Sequence, residues 1–333
     1  MLKRLAAGFL LSSTCLLAAL PAHADYPERN IQAVVPWSPG GATDNVARSL
    51  AALVEKELGQ SLIISNRPGG TGVIGTSFVM KQRPDGYTLL IGAENPQLYP
   101  LLGLANFDYS GLDLISLIGQ NMAVIATPPD SPWNSMEELL ADAKANPGTL
   151  RMGSTGTGGL PGSVHAMISS IHPLDVREVT FAGDGPGVAA LLGKHIDFMP
   201  LSMAAAREQV AAGKLKGLAV FGTEELEGLP GVPPITKALP EIASYLPWGP
   251  FWGVWVRKGT PEPIKQKLTE AFSKTLATPE AQTFIKNFGA TPLNLSGTEA
   301  QAYLDRWQSV TTWSMYKAGA VKVSPESLGI PKP

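Results

Sequence analysis

The sequence predicts an α/β protein built as two lobes that face one another across a cleft. Three observations carry that expectation. Short apolar runs alternate with amphipathic helical patterns, as in a parallel or mixed sheet covered by helices on both faces. Nearly every apolar run ends in a small, polar, turn-forming loop. These loops fall into two groups of three, one in the first third of the chain and one in the middle.

Residues 1–24 come first in the chain and stand apart. A basic start (Lys3, Arg4), an apolar run over 5–20 and the closing Ala22-His23-Ala24 make the n-region, h-region and cleavage pattern of a secretory signal peptide. The run is shorter than the roughly 20 residues a membrane helix needs, and no comparable stretch follows. The expectation is an exported chain cleaved after Ala24. Cys15, the single cysteine, lies inside this leader, and Ser12-Ser13-Thr14 before it lacks the leucine of a lipoprotein signal. The exported part then offers no disulfide, redox motif or thiolate metal site. The whole sequence carries 26 basic and 28 acidic residues for a net charge of −2, and losing Lys3 and Arg4 makes it more negative. That balance argues against a nucleic-acid or membrane-surface partner.

From there, strands are expected over 31–35, 61–65, 87–92, 124–127, 150–153, 179–182, 196–200 and 218–222. Between the first two, Val46, Leu50, Leu53 and Val54 recur at helical spacing, and Gly59 ends the helix. That helix should open at Thr43 or Asp44. Ser135 and Glu138 form a capping box for the helix over 136–145, and Ser163 is placed to cap the helix after 159. In the tail, Thr260-Pro261 and Thr278-Pro279 each start a helix, Gly289 ends the second, and Ser296 with Glu299 boxes a third. The aromatic group Trp248, Phe251, Trp252 and Trp255 reads as hinge packing, with a ligand box as the alternative.

In open α/β sheets a ligand binds beyond the carboxyl ends of the strands. The loops gathered there are "PWSPGGATD" (36–44), "NRPGGTG" (66–72), "GAENP" (92–96), "GSTGTGG" (153–159), "AGDGPG" (182–187) and "PLSMA" (200–204). The first leaves backbone N–H groups free at the positive end of a helix, where an anion is favoured. The amides of Gly40, Gly41 and Ala42, with Ser38 and the Thr43 hydroxyl, can satisfy a carboxylate without any cation in the loop. Asp44 fits the helix dipole or ligand contact. Trp37 fits either a cover over the ligand or packing between lobes. Ser154, Thr155 and Thr157 are the matching donors in the middle of the chain, with Gly183, Asp184 and Ser202 on the neighbouring loops.

Catalytic motifs are scarce. Only His165, His172 and His195 remain beyond the leader, with no H-E-x-x-H, no G-x-S-x-G and no phosphate-binding G-x-x-x-x-G-K-[ST]. One motif competes. Gly70-Thr71-Gly72-Val73-Ile74-Gly75 matches a dinucleotide fingerprint, follows a strand, and has Glu94 some 20 residues on. It supports an exported nucleotide-dependent oxidoreductase as the alternative. Against it, Asn66-Arg67-Pro68 separates strand from glycines, and the unit is the second of its lobe rather than the first.

Together "VVPWSPGGATDNVARSLA", "LIISNRPGGTGVIG", "RPDGYTLLIG", "AKANPGTLRMGSTGTGG" and "GDGPGVAALLGKHIDFM" resemble the landmarks of the Bug/TctC substrate-binding proteins, periplasmic receptors of tripartite tricarboxylate transporters. The resemblance implies a type II periplasmic-binding-protein fold, two α/β lobes around a central cleft joined by two crossing strands near 124–127 and 248–252. Lobe 1 would hold 25–125 and 249–333, with the tail helices returning to it, and lobe 2 would hold 126–248. It also implies no enzyme activity, no cofactor, no metal, a periplasmic location, and a small organic carboxylate as ligand. The partner would be a membrane permease or a sensor kinase. The chain departs from these relatives at Glu94-Asn95 and at Asp184, where small or hydroxyl residues are usual. If both carboxylates face the cleft they disfavour a second anionic group on the ligand, plain tricarboxylates included, and favour an amine or hydroxyl-rich end, as in an amino acid or hydroxy acid; if they face solvent or cap turns they do not.

Overall fold

A computed structural model describes residues 26–181, 183–226 and 228–333; the expected leader and its cleavage site lie outside them. Two bodies of sheet organise the chain. The first begins with β1 (Ile31–Val35), whose side chains are buried on both faces, as suits a strand inside a covered sheet. α1 (Ala42–Leu58) follows and buries Val46, Leu50, Leu53 and Val54. Gly59 ends it in the left-handed conformation, its N–H returning to Glu55 O. Then come β2 (Leu62–Asn66), α2 (Val73–Met80), β3 (Thr88–Ala93), the single turn α3 (Tyr99–Leu102) and β4 (Leu112–Asn121).

Met122 alone separates β4 from β5 (Ala123–Thr127), which belongs to the second body. There follow α4 (Met136–Ala145), β6 (Arg151–Ser154), α5 (Leu160–Ser169), β7 (Arg177–Thr180), α6 (Asp184–Leu192), β8 (Met199–Ser202), α7 (Met203–Ala211) and β9 (Lys216–Val220). The chain then re-enters the first sheet through β10 (Phe251–Arg257), α8 (Glu262–Ala277), α9 (Pro279–Asn287), β11 (Ala290–Leu295) and α10 (Gly297–Lys317).

The first sheet has six strands in the order β11-β4-β10-β3-β1-β2, parallel among β1, β2 and β3 and antiparallel around β10 and β4. The second body pairs β5 with β8 and β9, and β6 with β7; a bridge from Met152 to Phe198 ties the two groups together. α8 packs on α1, so the early tail covers the first sheet, whereas α10 packs on both β4 and α5 and spans the two bodies. The third tail helix therefore does not simply return to where the chain began.

The aromatic group is packing. Trp248 lies 6.0 Å from Trp307 in a stacked pair, Phe251 meets Trp307 and Tyr303 edge-on, and Trp255 stacks on Tyr109 at 3.9 Å. Trp248 Nε1 donates to Thr311 Oγ1 at 2.8 Å and Trp307 Nε1 to Gly249 O at 2.9 Å, so both buried indoles are satisfied.

Several expectations move. α1 opens at Ala42 with Gly41 as N-cap, one or two residues early. Ser163 does not cap α5; Gly159 does, and Ser163 lies buried in the first turn. Ser135 caps α4 as expected, accepting from Glu138 N at 3.3 Å, while Glu138 reaches back to the N–H of Asn134. Ser296 occupies the N-cap of α10 but makes no capping bond, because Gly297 enters the helix at φ +57°. The strands expected at 179–182 and 196–200 are β7 and β8, shifted by two or three residues.

Candidate functional site

The loop after β1 is held from beneath by Asp44. Its carboxylate is almost wholly buried and accepts from Gly40 N at 2.8 Å, Asn66 Nδ2 at 2.8 Å, and Arg48 Nε at 3.0 and 2.9 Å. Burial pushes this carboxyl up, but hydrogen bonds from Arg48, Gly40 and Asn66 outweigh it and hold the group below the ordinary range. Asp44 is thus spent on the loop and has no lone pair left for a ligand. Two of the expected amides are spent as well: Gly40 N on Asp44, and Gly41 N on Ser38 O at 3.2 Å. The groups that remain are the first-turn amides of Ala42 and Thr43, since Gly41 offers no side-chain cap. Ser38 and Ala42 are exposed beside them, and Thr43 is buried.

Asn66 joins this loop to the next by donating to Trp37 O at 3.0 Å. Trp37 is half-buried, and its indole Nε1 is enclosed without a partner. The glycine motif is used for close packing: a Cβ on Gly75 would stand 2.8 Å from Pro36 Cα, and one on Gly72 2.9 Å from Tyr99 Oη. The same Tyr99 Oη donates to Thr71 O at 2.8 Å, linking the second and third loops. These glycines bring loops together and leave no cradle for a pyrophosphate.

The third loop faces the second body. Asn95 Nδ2 donates to Gly158 O at 3.3 Å, a direct bond between the loops after β3 and β6. Beside it Glu94 is buried, and burial pushes its carboxyl up to about 7 against backbone hydrogen bonds from Glu94 itself and Phe251.

In the second body the expected donors divide. Ser154 is fully buried and accepts from Gly156 N at 3.1 Å, so it shapes its loop instead of touching a ligand. Thr155 is half-buried. Thr157 is exposed and lines a separate cavity of about 480 Å³ with His165, Glu178 and residues 318–320. Asp184 is half-buried and accepts from Ser202 Oγ at 2.5 Å, with Gly183 the N-cap of its helix, so these three expected residues do converge. Burial pushes the Asp184 carboxyl up, and the bonds from Ser202 only partly offset this. Neither Glu94 nor Asp184 faces solvent as a fully exposed side chain.

Arg48, Asn66, Tyr99, Tyr109 and Tyr303 were not singled out in the sequence. The Asp44–Arg48 spacing of four is a visible helical pair. Nothing local in the sequence signals the others, since each arrives from a different element.

Three comparisons bear on this arrangement. The family described as TctC, tripartite tricarboxylate transporter family receptor, matches residues 46–310. Protein BugT of Bordetella pertussis is 30% identical over 302 residues, covering 88% of this chain and 91% of BugT. The structure of the periplasmic binding protein BugD superposes with a TM-score of 0.76 at 30% identity, over 90% of this chain and all of that one. MatC of Rhodopseudomonas palustris, solved with bound malate, gives a TM-score of 0.74 at 25% identity over 86% of this chain and 100% of its own. Two sheet bodies with paired loops between them, and relatives matched along nearly their full length, lead to one conclusion: the chain belongs to the tripartite tricarboxylate transporter receptor family and has its two-lobe binding-protein fold.

Proposed function

We propose that this protein is a periplasmic receptor that captures a small organic carboxylate between lobe 1 (25–125 and 249–333) and lobe 2 (126–248), then delivers it to an integral-membrane permease. The observation that carries the reading is the uncapped start of α1. Gly41 supplies no side-chain acceptor, Asp44 fixes the loop from below, and the Ala42 and Thr43 amides are left at the positive helix end. The malate held by MatC is a ligand of the chemistry such an end accepts. Ser38 and the Thr43 hydroxyl add donors, Trp37 flanks them, and Thr155, Asp184 and Ser202 approach from lobe 2. Export through the leader, cleavage after Ala24 and service to a permease belong to the same proposal, and the family's description as a transporter receptor supports the last of them.

A thermal-shift screen of the purified protein against small carboxylates and nicotinamide nucleotides tests it. A carboxylate at 100 times its Kd is expected to stabilise the protein by about 2.7 kcal/mol through mass action. A response to the nucleotides with none to any carboxylate would replace this reading with the oxidoreductase one.

A further inference from the structure

α10 and the tail that follows it form a cavity of about 390 Å³ against the segment around α3. That size falls within the roughly 300–1,000 Å³ of small-molecule sites. No residue of 123–220 lines it, so it belongs to the first body and not to the space between the two. The part of the tail that walls it is fastened to α10. Trp313 Nε1 donates to Ile330 O at 3.2 Å and Ser309 Oγ to Pro331 O at 2.7 Å. Leu101 and Ile330 are buried and give the cavity apolar walls.

Four polar side chains line it, and each brings an oxygen that no donor among the described residues reaches. Gln97 is only 6% exposed. Its backbone N–H donates to Glu94 O at 3.0 Å, its carbonyl accepts from Gln308 Nε2 at 2.9 Å, and its own Nε2 donates to Leu304 O at 3.3 Å. Its Oε1 accepts no bond among the described residues, and the same holds for Gln308 Oε1. Asp305 Oδ1 accepts from Gln301 Nε2 at 2.7 Å and Asp108 Oδ1 from Ser110 N at 2.8 Å, which leaves each carboxylate its second oxygen. Neither carboxylate belongs to an ion pair among the described residues. No lysine, arginine, histidine or hydroxyl lines the cavity. Lys332, next along the tail, lies instead over the Trp313 ring, 5.2 Å from its centroid.

A buried amide oxygen calls for a donor, and carboxylates without a cation call for positive charge. We propose that this cavity is a second binding site, for a small organic cation bearing a primary ammonium or a guanidinium. Its N–H groups are accepted by the oxygens of Gln97, Asp108 and Asp305, and its apolar stem lies on Leu101 and Ile330. Charge-assisted N–H bonds supply the affinity. A quaternary ammonium carries the charge without the donors and cannot make those bonds. A carboxylic acid would meet two like charges here, so this site differs in chemistry from the start of α1.

Calorimetry at pH 7.5 and low salt tests this. Butylamine and butyltrimethylammonium share stem and charge and differ in N–H donors; agmatine adds a guanidinium. Butylamine and agmatine are expected to show saturable binding, with butylamine at least about tenfold tighter than its trimethyl analogue, the scale of one hydrogen bond to a charged group. Asp108→Asn and Asp305→Asn should each weaken agmatine binding about tenfold. Asp175→Asn, which removes a carboxylate from the cavity beside His165 in the second body, should leave it unchanged. Asparagine keeps an acceptor for Ser110 N and for Gln301 Nε2, and circular dichroism checks the folding of each variant. A trimethyl analogue that binds as well as butylamine overturns the proposal, since charge alone would then suffice. So does agmatine affinity unchanged in both Asp108→Asn and Asp305→Asn, or lost in Asp175→Asn alone. Calcium or magnesium chloride that displaces agmatine and binds more tightly would make this a metal site instead. Absence of saturable binding by either amine ends the proposal outright. The order of probes on the unsubstituted protein is decisive even where a variant fails to fold.

Discussion

Asp44 accepts from Gly40, Asn66 and Arg48 at once, and replacing it with alanine strands a backbone amide, a side-chain amide and a guanidinium together. Losing hydrogen bonds of this type is expected to cost about 2–3 kcal/mol, read as a lower urea midpoint. Ligand affinity should fall with it, because the loop loses the strut beneath it. The pH dependence follows from the direction of the shift. The folded carboxyl titrates below its unfolded value of about 3.9, so its contribution is present above that pH and is lost as pH falls through the lowered folded value. The parent and an Asp44→Asn protein should therefore converge in stability below about pH 4 and diverge above it.

Gly40 and Gly41 differ at the same scale. Gly40 sits at φ +77° and needs glycine, whereas Gly41 is at φ −73° with Ser38 O 3.2 Å from where a Cβ would stand. Gly41→Val is expected to leave the fold intact while crowding the amides, lowering carboxylate affinity at least about tenfold by calorimetry. Undiminished affinity would remove this loop from the site.

Among the elements, α5 is clamped to β7 by an imidazole. His165 Nδ1 meets Glu178 Oε1 at 2.9 Å and Nε2 meets Leu174 O at 2.8 Å, and only the doubly protonated ring donates to both acceptors. Burial pushes its pKa down, but the Glu178 hydrogen bond, the Leu174 carbonyl and the charges of Glu178 and Asp175 raise it overall. A raised folded pKa gives stability that is complete below about 6.5 and lost as pH rises through the folded value. His165→Gln should therefore cost about 1 kcal/mol at pH 5.5 and less at pH 8.5, by urea unfolding. An equal loss at both pH values would mean the ring is neutral.

Elements with their own local signal were legible in the sequence. β1 was placed to the residue, α4 by its cap, and α8 and α9 by Thr-Pro pairs. β4 and β11 were not, for two reasons. β11 carries Pro292 and Asn294 and reads as turn, and it survives as a strand because it lies at the sheet edge, where a proline needs no ladder partner. β4 carries Asp113, Ser116, Gly119, Gln120 and Asn121 among its apolar residues, so no continuous apolar run marks it, and only β5 beyond Met122 was expected as a strand. In the candidate site the loop after β1 was legible as a turn and its hydrogen bonds were not: Asn66 reaches Asp44 only through the tertiary fold, as Tyr303 reaches Gln120.

For the whole molecule, the contact between Asn95 and Gly158 O measures how near the facing loops stand. A Cβ on Gly158 would lie 2.6 Å from Leu102 Cδ1, so a bulky residue there wedges one body from the other. Gly158→Phe is expected to raise the radius of gyration in small-angle scattering. If it reduces the closed population to about a tenth, apparent affinity falls about tenfold with no ligand contact touched. Unchanged scattering and affinity would show that Leu102 simply moves aside.

α10 gives these motions a geometry. Its indole and hydroxyl bonds to Gly249 and Trp248, and its packing on β4 and α5, fasten the two bodies along one side. Like the spine of a book, that side travels least when the covers part. From β4 the sheet runs outward through β10 and β3 to β1, each step about 4.8 Å. The loop after β1 therefore sits one strand farther along the lever than Glu94, and a given rotation lifts it farther. A solute would meet the swinging outer rim first and the carboxyl near the spine last. Under the proposed receptor function, Glu94 would stay sheltered even while the rim stands open, and the inner end of the cleft would keep one electrostatic character through capture and release.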